Sequence, residues 1–281
     1  MASLQGKTIF ITGGSRGIGR AVALRCARDG ANVVIAAKSA EPHPKLGGSI
    51  HTVAQEIIEH GGHALPLQMD VRDEQQVIDA LAKAAEYFGG IDVLIHNAGA
   101  IHLGNVEHTS IKKYDLIQTL NHRGLFIAAH HALPYLKQSA LTSSGTAQIL
   151  SFSPPINLSA HWLGMYSPYA LSKYGMTMLI LGLAEELKAD GILCNSLWPA
   201  TFINTAAVSQ NIGQDAATLM SRKPEIMADA AYAILTGGLG NMTGQTLLDE
   251  DVLKRVGIND LTQYACSPEH IDQLAKDLFV D

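Results

Sequence analysis

Two side chains in the second half of the sequence, Tyr169 and Lys173, have the types and the spacing that acid–base chemistry requires. On a helix, residues four positions apart lie on one face, with β-carbons about 5–6 Å apart. Lowering a tyrosine pKa by about three units requires about 4 kcal/mol, which a fixed ammonium and a second positive charge could jointly supply. The pair predicts a phenol that exchanges a proton with a substrate. Taken alone, this spacing is also common on ordinary helix surfaces.

A glycine-rich turn near the start of the chain has the features of a phosphate-binding loop. An apolar run over residues 9–12 leads into Gly13-Gly-Ser-Arg-Gly-Ile-Gly19, and a helical pattern follows from Arg20. A helix N-terminus has unpaired N–H groups and about +0.5 of an elementary charge, and glycines let backbone approach a pyrophosphate. The spacing differs from Gly-x-Gly-x-x-Gly and from a P-loop. A plain strand-to-helix turn is the alternative, but its place at the first such junction favours a nucleotide site. The candidate contacts are Gly13, Ser15, Arg16, Gly17, Ile18 and Gly19.

The end of the second predicted strand, residues 32–37, indicates which dinucleotide would bind. An acidic residue there would hydrogen-bond the adenosine ribose of NAD, whereas a basic residue would meet the 2′-phosphate of NADP. Lys38 follows this strand without a neighbouring carboxylate, and Arg16 faces the same region. The two cations favour NADP, although a surface lysine is usually only solvated. Residues 39–50, rich in proline and glycine, predict an ordered loop beside the adenosine end.

Asp70 follows the third predicted strand, residues 64–69. Asp73 and Gln76 make the better capping box for the next helix, so Asp70 is expected to be free to accept a hydrogen bond from an adenine amino group. The alternative is that Asp70 is an additional cap.

Small residues and an unusual asparagine come next. Asn97, Ala98 and Gly99 follow the strand predicted over residues 91–95, where they would let backbone approach a cofactor. Residues 111–137 predict one long helix, bent at Pro134. Asn121 in its interior costs roughly half a kcal/mol against alanine, so its side chain is expected to hydrogen-bond to another group.

Strands and helices alternate along the whole chain. The predicted strands are residues 9–12, 32–37, 64–69, 91–95, 148–152, 192–197 and 245–249. This alternation predicts a single α/β domain over residues 1–281, a doubly wound Rossmann fold with a mostly parallel seven-stranded sheet. Residues 202–222 are predicted to be irregular or weakly helical, either a substrate lid or a plain surface excursion. Residues 250–281 carry no interpretable pattern.

Composition limits the function classes. The chain has 281 residues, 47% hydrophobic and 16% charged, with a net charge of −6 and no basic block, which argues against a nucleic-acid partner. No apolar run reaches the ~18 residues of a membrane span. The 12 histidines show no ligand spacing, so no metal is expected, and Cys26, Cys194 and Cys266 predict free thiols. The ending Leu278-Phe-Val-Asp281 is not a peroxisomal address, so cytoplasm is the default, with peroxisome and mitochondrion left open.

The helix predicted over residues 166–188 is apolar nearly all round between residues 175 and 184. One face can cover the sheet, and the other requires a second cover. We therefore expect a homodimer or homotetramer.

With these motifs in hand, the sequence resembles the short-chain dehydrogenase/reductase family. The matching motifs are Thr12-Gly-Gly-Ser-Arg-Gly-Ile-Gly19, Asp70-Val71, Asn97-Ala-Gly99, Asn121, Tyr169-x-x-x-Lys173 and the Pro199 segment. The resemblance implies that Tyr169 is the general acid/base at a carbonyl or alcohol substrate. It also implies that Lys173 lowers the Tyr169 pKa and binds the nicotinamide ribose, that Asn121 holds a proton-relaying water, and that Pro199 lies at the cofactor. A fatty acyl or steroid carbonyl is the substrate suggested by the resemblance together with apolar residues of the predicted lid, Phe202, Ile203, Leu219 and Met220.

The sequence departs from the family pattern at the residue that steadies the substrate oxygen. The family has a serine where this chain has Pro154, so Ser153 would have to replace it through a shift of the chain. Losing one such donor could cost on the order of 10² to 10³ in rate. Two hypotheses follow: an NADP-dependent oxidoreductase, or an NADP-binding scaffold or sensor with weak turnover.

Overall fold

The computed structural model describes residues 3–42, 47–142 and 147–281, in which seven parallel strands form one sheet. The strands are β1 (Thr8–Thr12), β2 (Asn32–Ala37), β3 (His63–Gln68), β4 (Val93–His96), β5 (Gln148–Ser151), β6 (Leu193–Trp198) and β7 (Thr246–Leu248). Their order is β3-β2-β1-β4-β5-β6-β7, and every neighbouring pair is parallel. The strand order reverses between β1 and β4, where doubly wound sheets bind nucleotides. This confirms the predicted fold class.

Helices cover both faces of the sheet. They are α1 (Gly17–Arg28), α2 (Ile50–Glu59), α3 (Glu74–Phe88), α4 (Ile111–Leu120), α5 (His122–Thr142), α6 (Ala160–Glu186), α7 (Ala206–Ile212), α8 (Gln214–Met220), α9 (Glu225–Leu235) and α10 (Asp249–Arg255). Ile9 and Ile11 of β1 pack into one hydrophobic cluster with α1, α2 and α9, while Phe10 packs into a second with α3, α5 and α6. Because both faces are buried, the strands are almost continuously apolar.

The predicted helix over residues 111–137 is in fact two helices, and the break lies at Asn121 rather than at Pro134. Asn121 has φ −77° and ψ −87°, whereas Pro134 lies within α5. The side chain of Asn121 accepts a hydrogen bond from the Ala100 N–H at 2.8 Å and donates one to the Ala100 carbonyl at 3.1 Å. The two bonds fix the Asn121 side chain to the turn after β4 at the residue where the backbone leaves helical geometry.

Residues 202–222 are more regular than predicted. They contain α7 and α8, which are separated by Gly213 at φ 88°. Thr205 caps α7 by accepting a hydrogen bond from the Val208 N–H. Helices of seven residues leave only a weak pattern in the sequence, and the glycine between these two interrupts it, so the sequence did not predict them.

The chain after β7 returns to the site end of the sheet. Lys276 forms an antiparallel bridge with Thr201, and the Asp277 N–H donates to the Ala200 carbonyl at 3.0 Å. Residues 277–280 therefore run over the carboxyl end of β6 and against α6. Part of the loop expected beside the adenosine end, residues 43–46, lies outside the described residues.

Among the helices of the described residues, none is long and apolar enough to cross a membrane. The same ranges hold no group of three or more residues of the His, Cys, Asp and Glu types placed to bind a metal ion. Cys26, Cys194 and Cys266 are free thiols.

Candidate active site

The glycine turn after β1 and the turn after β4 are joined side by side. Asn97 donates to the Gly13 carbonyl at 2.7 Å, and the Thr12 hydroxyl accepts from the Ala98 N–H at 3.1 Å. A β-carbon at Gly19 would lie 2.5 Å from both Asn97 Nδ2 and the Gly13 oxygen, so no other residue fits there without movement. Gly13 itself adopts a left-handed φ of 70°. The glycines are thus required by the approach of two turns at the switch point.

A cavity of about 830 Å³ lies over these turns. Its size falls within the range of about 300–1,000 Å³ that ligand sites in proteins occupy. The predicted cofactor residues on its wall are Gly13, Ser15, Arg16, Gly17, Ile18, Lys38, Asp70, Asn97, Ala98 and Gly99. Gly19 lies beneath the turn and shapes the cavity without lining it.

The corner at the end of β2 contains the expected cations together with an acid. Arg16 Nη2 donates to the Ser39 hydroxyl at 2.6 Å. Lys38 is 73% exposed at its side chain and lies 3.5 Å from Asp70. The sequence analysis placed no carboxylate in this corner, which is wrong, because β3 pairs with β2 in register and brings Asp70 beside Lys38.

Asp70 was expected to be free to accept a hydrogen bond, and this expectation is also wrong. Arg72 binds both of its carboxylate oxygens, at 2.9 and 2.5 Å. The hydrogen bond from Arg72, assisted by the charges of Arg72 and Lys38, lowers the pKa of Asp70 to about 2. Asp73 caps α3 as predicted, accepting from the Gln76 N–H at 3.1 Å. Since Arg72 neutralises Asp70, the corner as a whole keeps the positive charge of Arg16 and Lys38.

Tyr169 and Lys173 lie together on α6, both buried, on the wall of a second cavity of about 180 Å³. Lys173 Nζ donates to the Phe152 carbonyl at 2.8 Å and lies 5.0 Å from the centre of the Trp198 ring. This cavity shares Ile18, Asn97 and Gly99 with the larger one, so the two lie side by side. Pro199, predicted at the cofactor, lines the smaller cavity.

Burial sets the protonation of this part of the cleft. It lowers the pKa of Lys173 and raises that of Tyr169, because a charge is poorly solvated in the interior. The carboxyl of Asp277 adds to the rise at Tyr169 and opposes the fall at Lys173. Burial raises the pKa of Asp277 as well. The lowering of the Tyr169 pKa implied by the resemblance is therefore not a property of these side chains by themselves.

Asn121 is fully buried and links three elements around the pair. Besides its bonds to Ala100, its amide donates to the Ser172 hydroxyl at 2.9 Å, and Ser172 donates to the Tyr169 carbonyl at 2.8 Å. A β-carbon at Gly99 would lie 3.3 Å from Asn121 Oδ1 and 3.7 Å from Lys173 Nζ. Asn121 thus positions the helix that carries Tyr169, and it lies behind the walls of both cavities.

Ser153 is not placed to replace the family's serine. It is fully buried, lines neither cavity, and its hydroxyl has no hydrogen-bond partner among the described residues. The following Pro154 is fixed through its carbonyl, which accepts from the Thr177 hydroxyl at 2.7 Å. The geometry therefore does not support the substrate contact expected for Ser153.

Comparison with known proteins decides the family. A model of the short chain dehydrogenase family matches residues 7–216.

The chain belongs to the short-chain dehydrogenase/reductase family of oxidoreductases.

Hydroxysteroid dehydrogenase-like protein 2 of Xenopus laevis is 50% identical to it over 278 residues, and the human protein of that name is 48% identical. In both comparisons the match covers 99% of this chain and 64% of the relative's length.

Solved structures show the same fold in family members. A short chain dehydrogenase from Mycobacterium thermoresistibile has a TM-score of 0.91 and 50% identity, covering 99% of this chain and 96% of that one. A putative dehydrogenase from Xanthomonas campestris has a TM-score of 0.92 and 46% identity, covering 99% of both. A short chain dehydrogenase from Burkholderia cenocepacia, in complex with NADP, has a TM-score of 0.72 and 27% identity, covering 88% and 97%.

No sequence motif indicated the residues after β7 that complete the site. Asp277 and Leu278 line the small cavity with Tyr169, and the Trp198 indole donates to the Leu278 carbonyl at 3.0 Å. Of the apolar residues expected in a lid, Ile203 lines this cavity, whereas Phe202, Leu219 and Met220 do not. The available signal was an apolar triplet, residues 278–280, between two acids.

We expect Arg72→Ala to destabilise the protein in a pH-dependent way. The folded pKa of Asp70, about 2, lies below its ordinary value of 3.8, so its stabilisation is present above that value and lost as pH falls through 2. Removing Arg72 returns the folded pKa toward 3.8. Urea unfolding of both proteins should give a constant difference at about pH 5 to 7 that shrinks below about pH 4.

Arg28→Ala, an exposed arginine at the end of α1, is the control and should change little at any pH. A difference between wild type and Arg72→Ala that is as large at about pH 3 as at about pH 7 would contradict the pairing.

Proposed function

We propose that this chain is an NADP-dependent oxidoreductase that transfers a hydride between C4 of nicotinamide and a secondary alcohol or ketone, with Tyr169 moving the proton. The observation that supports this is that two cavities adjoin and share wall residues. The first lies over the glycine turn, and the second contains the buried phenol and ammonium of Tyr169 and Lys173.

The described residues fit a dinucleotide. Gly13 and Gly19 let the two turns approach where a β-carbon would clash with Asn97, and α1 begins at Gly17 directly behind the glycine turn. The N–H groups at the start of that helix would face the pyrophosphate, and Arg16 and Lys38 the 2′-phosphate. When bound, the cofactor supplies or accepts the hydride. The NADP complex of the Burkholderia cenocepacia relative supports the choice of cofactor.

The chain's own groups would handle the proton. The Tyr169 hydroxyl would give its proton to the carbonyl oxygen in reduction, and take one from the alcohol in oxidation. Lys173, fixed by the Phe152 carbonyl, would stabilise the phenolate and bind the nicotinamide ribose. The water relay implied for Asn121 is not supported by its side chain, which is fully buried behind the cavity walls and bonded to Ala100 and Ser172. The positive ring of oxidised nicotinamide would add to the effect of Lys173 and offset the cost of burial.

The lining of the small cavity indicates an apolar substrate. Its wall is formed largely by apolar side chains, among them Ile101, Phe152, Ile203, Val208 and Met227. A carbonyl compound with aliphatic groups, including a fatty acyl or steroid carbonyl, is chemically compatible with such walls. The name of the relatives, hydroxysteroid dehydrogenase-like, is in keeping with this class. Cytoplasm remains the predicted compartment.

One observation favours a second candidate function. Because the Ser153 hydroxyl is buried outside the cleft, the substrate oxygen lacks the serine donor of the family pattern. A chain with an intact cofactor cavity and an incomplete substrate site would bind NADP as a scaffold or sensor and turn over slowly.

Tyr169→Phe separates the two functions. It should lower NADPH-dependent ketone reduction at least about 100-fold, because the proton donor is lost, while NADPH binding measured by fluorescence stays unchanged. Tyr87→Phe, an exposed tyrosine on α3, is the matched control. Equal, near-zero reduction by wild type and Tyr169→Phe across a panel of ketones, with binding retained, would favour the scaffold.

Lys38→Ala tests the choice of dinucleotide. It should weaken NADPH binding by about tenfold and NADH binding much less, because only NADPH presents a 2′-phosphate to the ammonium. Isothermal titration with both dinucleotides measures the difference, and Lys83→Ala on the exposed face of α3 is the control. Equal losses for NADPH and NADH would refute the assignment.

We also propose that the chain self-associates as a homodimer or homotetramer through α5 and α6. Leu171 and Met178, seven residues apart on one face of α6, are 60% and 64% exposed, and Phe126 on α5 is 55% exposed. The apolar pattern of α6 predicted that a second surface, besides the sheet, packs against it. The exposed apolar residues on these packed helices support that expectation.

Met178→Glu should therefore shift the protein toward monomer in sedimentation velocity at micromolar concentration, because it would bury an unpaired carboxylate in the interface. Ile58→Glu, an equally apolar exposed position on α2, should not. Monomeric wild type would contradict the interface altogether.

A further inference from the structure

Asp277 is a buried acid on the wall of the small cavity, beside Tyr169. It lines this cavity and not the larger one, and it is 8% exposed. Two residues further along the chain, the Phe279 ring lies 6.0 Å from the Tyr169 ring. The carboxyl of Asp277 is near enough to act electrostatically on both Tyr169 and Lys173. Asp277 therefore belongs to the substrate end of the cleft, with the proton-transfer pair.

The carboxyl of Asp277 is fixed through one of its two oxygens. Oδ1 accepts from the Leu278 N–H at 2.6 Å, and the backbone of Asp277 is held because its N–H donates to the Ala200 carbonyl at 3.0 Å. Oδ2 makes no hydrogen bond to any of the described residues. The second oxygen is thus available to a molecule that enters the cavity.

The surroundings of Asp277 favour the carboxylic acid over the carboxylate. Burial is the largest effect, and the charge of Asp249 at the start of α10 adds to it. The Leu278 N–H and the ammonium of Lys173 act in the opposite direction, and the phenol of Tyr169 faces the same region. Together these groups raise the pKa of Asp277 to about 8. At neutral pH the carboxyl keeps its proton, and a protonated carboxyl can donate a hydrogen bond.

The substrate oxygen has lost one donor of the family pattern, because the Ser153 hydroxyl is buried outside the cleft. Among the other polar side chains of the small cavity, Asn97 and Thr205 also line the larger cavity, on the cofactor side. The ammonium of Lys173 is bound to a backbone carbonyl. Asp277, with a free oxygen and a place in the small cavity alone, is the side chain best placed to supply the missing donor.

We infer that Asp277 is a further catalytic residue, whose protonated carboxyl donates a hydrogen bond to the carbonyl oxygen of the substrate in place of the family's serine. This rests on the proposed function and adds a second polar contact to its substrate site. In reduction, Tyr169 gives its proton to that oxygen as the hydride reaches the carbon, and Asp277 keeps its own proton. The bond strengthens as negative charge develops on the oxygen, and so stabilises the transition state.

Two substitutions of Asp277 test this role. Asp277→Ala should lower kcat/KM for NADPH-dependent reduction of cyclohexanone about 100-fold at about pH 6.5, because one donor to the developing oxyanion is lost. Asp277→Asn keeps an acceptor for the Leu278 N–H and offers an amide donor, so it should stay within about tenfold of wild type. NADPH binding should be the same in all three proteins, since Asp277 lies outside the larger cavity. Asp272→Ala, an exposed acid earlier in the same segment, is the matched control.

The pH profile separates a hydrogen-bond donor from a purely structural carboxyl. One pH unit above its pKa, an acid is only about a tenth protonated. Raising the pH from about 6.5 to about 9 should therefore lower wild-type kcat/KM about tenfold relative to Asp277→Asn, whose amide does not titrate. Tyr169 and Lys173 titrate in both proteins, so the ratio of the two profiles reports on Asp277.

Full activity of Asp277→Ala, or parallel pH profiles of wild type and Asp277→Asn, would overturn the inference and leave the proposed function intact. If wild type reduces no ketone, the proposed function fails, and binding then decides the inference. The Trp198 indole bonds to the Leu278 carbonyl, so tryptophan fluorescence reports on this cavity. Titration of the NADPH-loaded proteins with cyclohexanone should show about fivefold weaker binding in Asp277→Ala than in wild type. Equal affinity, or no binding to wild type, would overturn the inference.

Discussion

The close approach of two backbone turns at the switch point is the constraint on which the site depends. Asn97 holds the Gly13 carbonyl, and Gly19 packs so tightly behind them that a single methyl group would displace both. This contact fixes where α1 begins relative to β4, and hence where the N–H groups of the first helical turn point. Because β4 and β5 are adjacent, the same contact also fixes the Phe152 carbonyl to which Lys173 is bound. The phosphate end and the proton-transfer end of the cleft thus share one rigid reference.

Desolvation is the second force that shapes the chemistry. An ammonium, a phenol and a carboxyl are buried in one small region, and burial favours the neutral form of each. Lys173 and Asp277 attract one another and so oppose that effect. Such a region responds strongly to any charge that enters it, because the local dielectric constant is low. A positive ring beside Tyr169 would therefore change its acidity far more than the same charge at the surface.

The sequence predicted the features that depend on neighbouring residues or on the alternation of strands and helices. All seven strands and the parallel α/β class are present, as is the cap at Asp73. The cleft between the glycine turn and Tyr169 was predicted because each motif is short and its place in a doubly wound sheet is fixed by rule. Sequence spacing alone did not show that Asp70 is neutralised by Arg72. Asp70 and Asp73 both lie close to Arg72 and to the start of α3, so either carboxylate could cap the helix or pair with the arginine.

The other misses share a longer-range cause. The break at Asn121 lies where its side chain bonds to Ala100, some twenty residues earlier, and the cover over Tyr169 comes from residues more than a hundred positions later. Neither contact leaves a periodic pattern. In the sequence, residues 278–280 are three apolar residues without a motif. The bridge between Thr201 and Lys276 brings them to the site.

The polar groups of the small cavity bear on how a substrate would be recognised. With Ser153 outside the cleft, the hydroxyls on its wall are those of Tyr169 and Thr205, and the Thr205 hydroxyl accepts from the first turn of α7. A substrate oxygen thus has the phenol as its hydroxyl partner, beside the polar side chains of Lys173 and Asp277, and the other walls are largely apolar. Apolar walls discriminate by shape, at about 1–3 kcal/mol per methylene, and far less sharply than buried hydrogen bonds. Where the walls are apolar, selection in this site would therefore come from the shape that they leave for the substrate, and the polar end around Tyr169 would fix only the position of the reacting oxygen.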